Sequence, residues 1–522
     1  MVTLTYILAA VILLGLCIFV HELGHLLGGR MVGIKAEVFS IGYGKGVLKK
    51  KWGDTTYQVT LIPFGGYCKF YGENPSEDRQ GKEYEFLSAH PLKRVVTVIM
   101  GPMFNLFFGI ILFFTMNMSG YSVETNRVYI PEYFKSGEYV SPAYQAGIRT
   151  GDIITSINNE EVNGFTDVQS KVVFSDGKVL SIGYKRDDAA NTVEVKPKKY
   201  SEKGYYTIGV MPYGERVLVA SVLEGYPAAE AGLEQFDEIK SVEGNEFETP
   251  QEFTEYIRKK AGVPLQFTIV RSDDEKKITV TPRQREVLTV NKFKDMRFPS
   301  ETYQVTLDKL ELLKSSISDG NVKVNGSRVS SFNEFVKIIE RSGNRILTIE
   351  TPGGTYRGDM EFEKYGFVGI ETAISPDMIR IKHGIAGAAV KSLKDPFEFI
   401  ALNVQGIGMM FAGELDVRRN LSGPIRIAKI AGDTAYYRGI DAFILLMAKI
   451  SIILMVMNLL PIPMVDGSYV VFFLYEAVKG RPLNEKIMEK IQLIGFAFLI
   501  LLGIFIIFND LSFLPFFQNL FQ

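Results

Sequence analysis

The sequence is poor in cysteine, histidine and tryptophan, and it carries almost no net charge. Its 522 residues include only two cysteines, Cys17 and Cys68, which excludes a scaffold built on disulfides. Lysine and arginine number 58 against 59 aspartates and glutamates, a formal net charge of −1. The basic footprint of a nucleic-acid-binding protein is missing, so we expect no nucleic-acid partner. Four histidines are present, and two of them lie four residues apart.

Hydrophobic residues make up 47% of the chain and charged residues 22%, and the apolar residues are concentrated in four long runs. A membrane-spanning helix needs about 20 apolar residues in a row. We therefore predict an α-helical membrane protein with four transmembrane helices, in the segments 1–30, 95–118, 441–467 and 491–522, the last of which includes a tail. A signal peptide is the alternative for the first segment, but that segment lacks a basic start and a small-residue cleavage site.

Positive charge is distributed unevenly around these segments. Eleven lysines and arginines lie from Arg30 to Arg94, and four more precede the fourth apolar run, whereas the first four residues and the tail have none. Loops rich in lysine and arginine remain in the cytoplasm. The pattern predicts cytosolic loops at 31–94 and 468–490, with both termini and the long segment 119–440 on the opposite side.

A repeated pattern occupies this long segment. Pro142-Ala143-x-x-Ala146-Gly147 returns 85 residues later as Pro227-Ala228-x-x-Ala231-Gly232, and Val324-Asn325-Gly326 matches the later part of both copies. A fixed period of this size marks tandem domains, and the alternating apolar runs that end each copy indicate strands. We predict α+β modules at 119–213, 214–285 and 286–375, followed by amphipathic linker helices at 376–440.

The repeated pattern, extended through Gly151, Asp152 and Ile154, resembles the PDZ domains of bacterial proteases. PDZ domains bind peptides by adding a strand to a sheet edge, so we expect peptide or protein ends as partners of the first two modules. The alternative is a repeated β-rich spacer without a ligand. The third module lacks the Pro-Ala-x-x-Ala-Gly segment, and for it we expect a structural role without a working peptide groove.

His21-Glu22-Leu23-Gly24-His25 forms an H-E-x-x-H motif at the end of the first apolar run. On a helix, residues four apart lie about 40° apart around the axis, so both imidazoles face the same side. They can then bind one zinc ion, while Glu22 can act as a general base toward water. The alternative is a solvated pair of helix-end histidines. It explains neither the spacing nor three ionisable side chains at the end of a predicted span.

A zinc hydrolase needs a third protein ligand. His90 follows a loop and precedes a proline, which makes it a weak candidate. A stronger candidate is Asp466, which follows the third apolar run. Pro461 and Pro463 interrupt that run and leave backbone groups that need a protein or water partner. The alternative is a simple helix terminator with Asp466 at the membrane interface.

Residues 57–61 alternate between polar and apolar types and are followed by Pro63-Phe64-Gly65-Gly66-Tyr67. This pattern predicts a membrane-associated β-hairpin in the loop 31–94, beside the site. Its free edge, at Gly65 and Gly66, could hold an extended substrate strand. A small cytosolic hairpin without a substrate role is the alternative.

Two motifs together resemble the site-2 protease family: the H-E-x-x-H of the first run and Asn458-x-x-Pro461-x-Pro463-x-x-Asp466-Gly467 of the third. The resemblance is to M50-type intramembrane zinc metalloproteases, specifically the RseP-like bacterial members, and it covers nearly the full length. Gly101-Pro102-x-x-Asn105 in the second run and Leu421-Ser422-Gly423-Pro424 before the third are also similar to that subfamily.

The resemblance implies roles for particular residues: Zn²⁺ ligands His21, His25 and Asp466, general base Glu22, and substrate-handling residues Asn458 and Pro463. It also implies cleavage of peptide bonds in or near the spans of single-span membrane proteins, such as a pre-trimmed anti-sigma factor or a signal-peptide remnant. The location implied is the bacterial inner (cytoplasmic) membrane, with the lipid bilayer as a partner and the PDZ-like modules outside the cytoplasm.

Two other functions remain open at this point. A membrane gluzincin also carries H-E-x-x-H but needs a glutamate ligand on a later helix, for which Glu485 and Glu489 are candidates. A non-catalytic membrane scaffold could instead display the PDZ-like modules. The complete set of proposed zinc ligands and base argues against the scaffold.

Overall fold

The computed structural model divides the chain into two compact units, Met1–Pro212 with Met378–Gln522 and Tyr213–Asp377. The residues it describes are 2–74, 80–131, 134, 140–199, 205–271, 274–291, 302–305, 307–342, 347–352, 354–413, 415, 417 and 421–512. The end of the predicted tail, 513–522, lies outside the described residues.

The helices of the described chain are α1 (Val2–Met31), α2 (Pro91–Ser119), α3 (Pro142–Gln145), α4 (Phe165–Val173), α5 (Pro227–Glu230), α6 (Pro250–Arg258), α7 (Leu307–Ser318), α8 (Phe332–Ser342), α9 (Ile385–Phe411), α10 (Pro424–Asp433), α11 (Gly439–Leu459), α12 (Asp466–Lys479) and α13 (Glu485–Ser512). A 3₁₀ turn at Phe86–Ser88 precedes α2, and a π-helical turn at Thr434–Arg438 joins α10 to α11.

The described strands are β1 (Ala36–Trp52), β2 (Thr55–Phe70), β3 (Tyr121–Glu124), β4 (Val128–Tyr129), β5 (Ile153–Ile157), β6 (Glu160–Glu161), β7 (Leu180–Arg186), β8 (Ala189–Val195), β9 (Lys198–Lys199), β10 (Tyr206–Thr207), β11 (Met211–Pro212), β12 (Arg216–Val222), β13 (Glu238–Val242), β14 (Leu265–Arg271), β15 (Asp274–Val280), β16 (Arg283–Asn291), β17 (Thr302–Val305), β18 (Lys323–Val324), β19 (Ser327–Arg328), β20 (Leu347–Thr351), β21 (Gly354–Phe367), β22 (Ile370–Ser375) and β23 (Met378–Ile381).

Within the described part of the chain, four stretches of helix are long and apolar enough to cross a membrane: Leu4–Met31, Pro91–Ser119, Pro424–Leu459 and Lys486–Leu511. This confirms the prediction of four such helices, but the third differs in extent from the predicted 441–467. Its apolar stretch begins at Pro424, inside the predicted linker. It ends at Leu459 because the prolines that follow lack the N–H groups that would continue the helix.

The predicted loop 468–490 is not a simple loop in the structure. The first part of it forms α12, whose first residue is Asp466 and whose last turn ends at Gly480 in the left-handed conformation. Glycine adopts this conformation without steric cost, which makes it a common helix terminator. Asp466 therefore begins a helix of its own instead of closing the third span.

α1 and α2 pack closely because small residues line their contact. A Cβ atom added at Gly24 would lie 2.3 Å from the backbone oxygen of Met100, and one added at Gly28 would lie 2.7 Å from Met100 Cβ. Glycines four residues apart are typical of close helix pairs in membranes. The seam holds the H-E-x-x-H end of α1 against the first half of α2.

β1 and β2 form an antiparallel sheet that is folded over itself. Residues 48–52 pair with 55–59 across the turn, and residues 38–41 pair with 66–69. Buried aromatic rings attach this sheet to the helices; Phe39, Phe70 and Phe86 share one apolar core with Leu26 of α1 and Phe473 of α12. The predicted β-hairpin within 31–94 is therefore present, but its strands are longer than the predicted alternating run.

The first β-rich module lies in the unit that contains the apolar helices. Its main sheet has the strand order β6-β5-β7-β8, and β4 pairs separately with β11. The fully buried Ile154, Ile157 and Ile182 of the sheet pack against Val168 and Val172 of α4. The alternation of Leu180, Ile182 and Tyr184 along β7 places one face of this sheet in the core. β5 does not alternate strictly, because its pairing register with β7 shifts between Ile154 and Ser156.

The second module is completed by a strand that the chain reaches only after it has built the third. Its sheet has the order β15-β14-β13-β12-β22, and Ser221 of β12 donates to Glu371 of β22 over 2.9 Å. Val368, just before β22, is buried in the same core as Val217 of β12. The third module is thus inserted into the second, and the predicted boundaries 214–285 and 286–375 cut one sheet in two.

The third module has its own sheet, with the order β17-β16-β21-β20-β18-β19. Phe335 and Ile339, four residues apart on α8, are buried against Val324, Val329 and Ile349. The apolar positions that the sequence shares with the first two copies thus form a core. This fits the expectation of a β-rich third module, and it leaves the peptide-groove prediction untested.

Candidate metal centre

His21 and His25 lie on the last turns of α1, and their four-residue spacing places both rings on one side of the helix. Their Nε2 atoms are 3.1 Å apart, and their ring planes meet at 88°. The imidazole of His25 is oriented by its other nitrogen, because Nδ1 lies 3.0 Å from the carbonyl oxygen of Thr97 in α2. A carbonyl oxygen can only accept, so this contact places the proton on Nδ1 and leaves the lone pair of His25 on Nε2.

Asp466 completes a triangle with these two nitrogens. Its Oδ2 atom lies 3.0 Å from His21 Nε2 and 3.4 Å from His25 Nε2. The approach of this residue depends on the irregular chain between α11 and α12. A Cβ atom at Gly467 would lie 2.3 Å from the carbonyl oxygen of Leu460, so only glycine permits the fold-back at this point.

The three atoms fit a zinc ion by distance and by chemistry. In tetrahedral sites zinc lies about 2.0–2.1 Å from nitrogen and oxygen ligands, which separates two ligand atoms by about 3.3 Å. The observed separations of 3.0, 3.1 and 3.4 Å are close to that value. Asp466 Oδ2 is also buried, and the two histidine nitrogens are its polar neighbours among the described residues, so with both Nε2 lone pairs facing it a cation is needed to offset the cost of burial.

Glu22 lies next to this triangle and is packed against the β1–β2 sheet. A Cβ atom at Gly66 would lie 3.4 Å from Glu22 Cγ and 2.8 Å from the backbone oxygen of Ser40. The strand that carries Gly65 and Gly66 therefore runs directly beside Glu22. The missing side chain at Gly66 permits the close approach of the Ser40 backbone in β1, whereas the contact with Glu22 is an ordinary van der Waals distance.

The remaining predicted substrate residues lie on the two sides of the irregular segment. Asn458 is half-buried on the last turn of α11. Pro463 packs against α13, where a Cβ atom at Gly495 would lie 2.1 Å from Pro463 Cβ. No described contact joins either residue to the histidines, so their substrate roles stay predictions.

The structure also contains a cavity near the proposed metal site that was not predicted from the sequence. Tyr67, Cys68, Lys69, Glu73 and Asn74 line a cavity of about 360 Å³. Glu73 Oε2 accepts from the backbone N–H of Phe70 over 2.9 Å, and burial raises the pKa of the Glu73 carboxyl. Burial also raises the pKa of the Cys68 thiol, which makes it a poor nucleophile at neutral pH.

A buried ion pair holds the helix that starts with Asp466. Arg94 at the beginning of α2 donates to both carboxylate oxygens of Glu476 in α12, over 3.1 and 2.6 Å, and its guanidinium lies over the ring of Phe473. Bidentate pairs of this kind fix orientation as well as distance. Sequence reasoning missed this pair because its members are 382 positions apart.

The comparison with protein families resolves which enzyme class uses this centre. Residues 9–502 match the family described as Peptidase family M50. The chain belongs to peptidase family M50. This confirms the resemblance to site-2 proteases that the two sequence motifs carry.

Curated relatives of this M50 peptidase match it along nearly their whole length. It is 27% identical to the "Regulator of sigma E protease" of Haemophilus influenzae, across 96% of this chain and 97% of the relative. It is 26% identical to "Protease RseP" of Yersinia pestis, across 98% and 100%. A relative in Neisseria meningitidis with a zinc metalloprotease name is 28% identical across 98% of both chains.

The M50 peptidase is therefore a zinc metalloprotease with helices that can cross a membrane. Within the described residues, His21, His25 and Asp466 form the one group of three or more metal-ligating side chains that are close enough to share an ion. Glu489, a ligand candidate in the gluzincin alternative, is exposed on α13, and the side chain of Glu485 lies outside the described residues.

Proposed function

We propose that this M50 peptidase binds zinc through His21, His25 and Asp466 and cleaves peptide bonds in or near membrane spans, with Glu22 as the general base. The observation that carries the proposal is the triangle formed by His21 Nε2, His25 Nε2 and Asp466 Oδ2. Three protein ligands leave a fourth position for water or substrate, as catalytic zinc sites require.

The proposed reaction is hydrolysis of an amide bond. Bound zinc supplies a Lewis acid that polarises the scissile carbonyl and makes water more acidic. Glu22 removes a proton from the attacking water, whose oxygen forms a bond to the carbonyl carbon. Glu22 then passes that proton to the amide nitrogen as the carbon–nitrogen bond breaks, which yields one carboxylate and one amine.

We also propose that the substrate is held as a strand along β2. A helical substrate hides its carbonyl groups in its own hydrogen bonds, so it must become extended before it can be cleaved. Residues 66–70 of β2 pair with β1 on one side, and no other described strand pairs with them. An added strand at this edge would pass beside Glu22, close to Gly65 and Gly66.

The proposed substrates are single-span membrane proteins, including a pre-trimmed anti-sigma factor or signal-peptide remnants. Three relatives bear the name regulator of sigma E protease, which supports a substrate that controls a sigma factor. The proposed location is the bacterial inner membrane, with the basic loops in the cytoplasm and the β-rich modules outside, as the distribution of lysine and arginine favours.

The first two modules are proposed to be PDZ-like domains that receive peptide or protein ends. Their equivalent residues make equivalent bonds: Ala143 N–H donates to the carbonyl of Ile208 over 3.0 Å, and Ala228 N–H donates to that of Val368 over 2.9 Å. In the second module, the accepting residue Val368 lies just before β22, which is an edge strand of its sheet. An edge strand is where PDZ domains add a peptide.

The catalytic assignment is tested by Glu22→Gln in the full-length protein, assayed with a co-expressed single-span substrate. The amide cannot accept a proton, so we expect cleavage to fall by roughly 10²–10⁴-fold. Bound zinc should stay stoichiometric, because Glu22 has no ligand role. Cleavage at the wild-type rate would refute the assignment.

The topology is tested with a membrane-impermeant thiol reagent on intact spheroplasts. A cysteine introduced at Gly225 in the second module should react, and one introduced at Lys50 in β1 should react only after lysis. The native Cys17 and Cys68 are replaced by serine in both variants to remove background. The reverse labelling pattern would overturn the proposed orientation.

A further inference from the structure

The second apolar helix presents one continuous face to the two histidines of the first. Thr97, Gly101 and Asn105 are spaced by four residues and so lie on one side of α2. Thr97 supplies the carbonyl that meets His25 Nδ1. A Cβ atom at Gly101 would lie 2.4 Å from His25 Nε2, so glycine at this position makes room for the ring.

The third member of this face, Asn105, lies against the other histidine. Its Nδ2 atom is 3.4 Å from His21 Nδ1, and the residue is fully buried. Its backbone carbonyl accepts a hydrogen bond of 2.8 Å from the hydroxyl of Ser451 in α11, which secures its position from the opposite side. Asn105 Oδ1 is buried without a hydrogen-bond partner among the described residues.

The two ends of a carboxamide exchange places when the group rotates by half a turn. If Nδ2 faces His21, it donates to Nδ1, and the proton of the neutral imidazole must then sit on Nε2. That tautomer cannot bind a metal through Nε2. If Oδ1 faces His21, it accepts from Nδ1–H, and the lone pair on Nε2 becomes available.

We infer that Asn105 is a positioning residue for the zinc site, whose carboxamide oxygen accepts the Nδ1 proton of His21 and holds the ring in its metal-binding tautomer. The inference rests on the proposed role of His21 as a ligand. α2 would then support both histidines in the same way, through the carbonyl of Thr97 for His25 and the carboxamide of Asn105 for His21.

The test is zinc affinity, measured on purified full-length protein in detergent by competition with a chromophoric zinc chelator. Asn105→Leu keeps the side-chain size and removes the acceptor. We expect its zinc dissociation constant to rise by roughly 10–100-fold, the usual effect of losing an outer hydrogen bond to a metal-bound histidine. Asn105→Asp can only accept, so it should bind zinc at least as tightly as the wild type.

Asn117→Leu is the matched control, because Asn117 is another buried asparagine of α2 and bonds to Asp395, away from the histidines. Its zinc affinity should equal that of the wild type even if its thermal stability falls. The inference is wrong if Asn105→Leu binds zinc within twofold of the wild type, if Asn117→Leu loses as much affinity, or if Asn105→Asp loses as much as Asn105→Leu.

His21→Ala separates this inference from the proposed function. If His21→Ala binds zinc like the wild type, the proposed ligand set fails, and the role of Asn105 fails with it. If His21→Ala loses zinc while Asn105→Leu keeps it, only the role of Asn105 is refuted. Should Asn105→Leu not fold, the comparison of Asn105→Asp with the wild type decides, since an amide that must donate to His21 cannot be replaced by a carboxylate.

Discussion

The first and the fourth apolar helices are alike in composition but differ in how the molecule holds them. An 18-residue apolar window in α1 has a mean hydropathy of 2.5, and one in α13 has 2.8. Inside the protein, 28% of the α1 window is buried and only 6% of the α13 window. Hydropathy therefore identifies a helix that can enter lipid, but it does not indicate whether that helix packs against the rest of the protein.

The contacts of the two helices explain the difference. α1 lies against α2 along a seam of glycines and carries the two histidines of the metal centre. α13 is held at one position in its first half and by a carboxylate close to its C-terminal end. Gly495 lies against Pro463, and Asp510 accepts from the backbone N–H groups of Gly423, Ile425 and Arg426 over 2.9–3.1 Å. Asp510 thus caps the start of α10 from another helix.

The largest expected effect is a loss of bound zinc when Asp466, whose carboxylate approaches the histidines of α1, is replaced. Asp466→Ala removes one of three proposed ligands, and we expect zinc to fall well below one ion per chain. Metal analysis of the purified protein measures this. Asp510→Ala is the matched control: it removes a buried aspartate from α13, and zinc should remain stoichiometric.

The gluzincin alternative predicts a different pattern in the same measurement. In that case Glu485→Ala or Glu489→Ala would lose zinc while Asp466→Ala kept it. Such a result would show that the third ligand lies on α13. α13 as well as α1 would then carry a zinc ligand, and the two helices would no longer differ in this respect.

A smaller effect, on stability, should follow when one glycine of α1 is replaced by alanine. In Gly24→Ala the new Cβ would lie 2.3 Å from the Met100 carbonyl oxygen, so α1 and α2 must separate. Overpacking of this kind costs roughly 1–3 kcal/mol of stability. Thermal unfolding followed by circular dichroism in detergent should show a lower midpoint for this variant.

The control for this substitution is Gly503→Ala in α13. A Cβ atom at Gly503 would meet nothing within 4 Å. Because alanine is favoured over glycine in a helix by up to about 1 kcal/mol, the midpoint should stay the same or rise. Equal destabilisation by the two variants would show that α13 is packed as tightly as α1.

The smallest effect on stability should come from a substitution near the C-terminal end of α13. Asp510→Asn keeps the shape of the side chain but removes its charge and replaces one accepting oxygen with an NH₂ group. We expect the free energy of unfolding to fall by about 1 kcal/mol. The same thermal unfolding experiment measures it, with Asp441→Asn as the control, since Asp441 accepts from its neighbour Ala442 alone among the described bonds. If the cap contributes nothing to stability, Asp510→Asn and Asp441→Asn will have the same unfolding midpoint.

Local features of the fold could be predicted because the information lies within a few neighbouring residues. Hydropathy over about 20 residues predicted four spans, and the four-residue spacing of His21 and His25 predicted two rings on one side of α1. The pattern at Pro142 and Pro227 predicted repeated modules, and each forms its own buried core. These patterns depend on helix and strand periodicity, which distant residues do not change.

The sequence by itself thus determined the apolar helices, the repeats and the placement of both histidines on one helix face. Only the tertiary structure decided that Asp466 begins a helix and brings Oδ2 within 3.0 Å of His21, that Arg94 pairs with Glu476, and that β22 returns to the sheet of the second module. Each of these contacts joins residues more than a hundred positions apart. Such contacts form only when whole helices and sheets pack, and no local spacing encodes that packing.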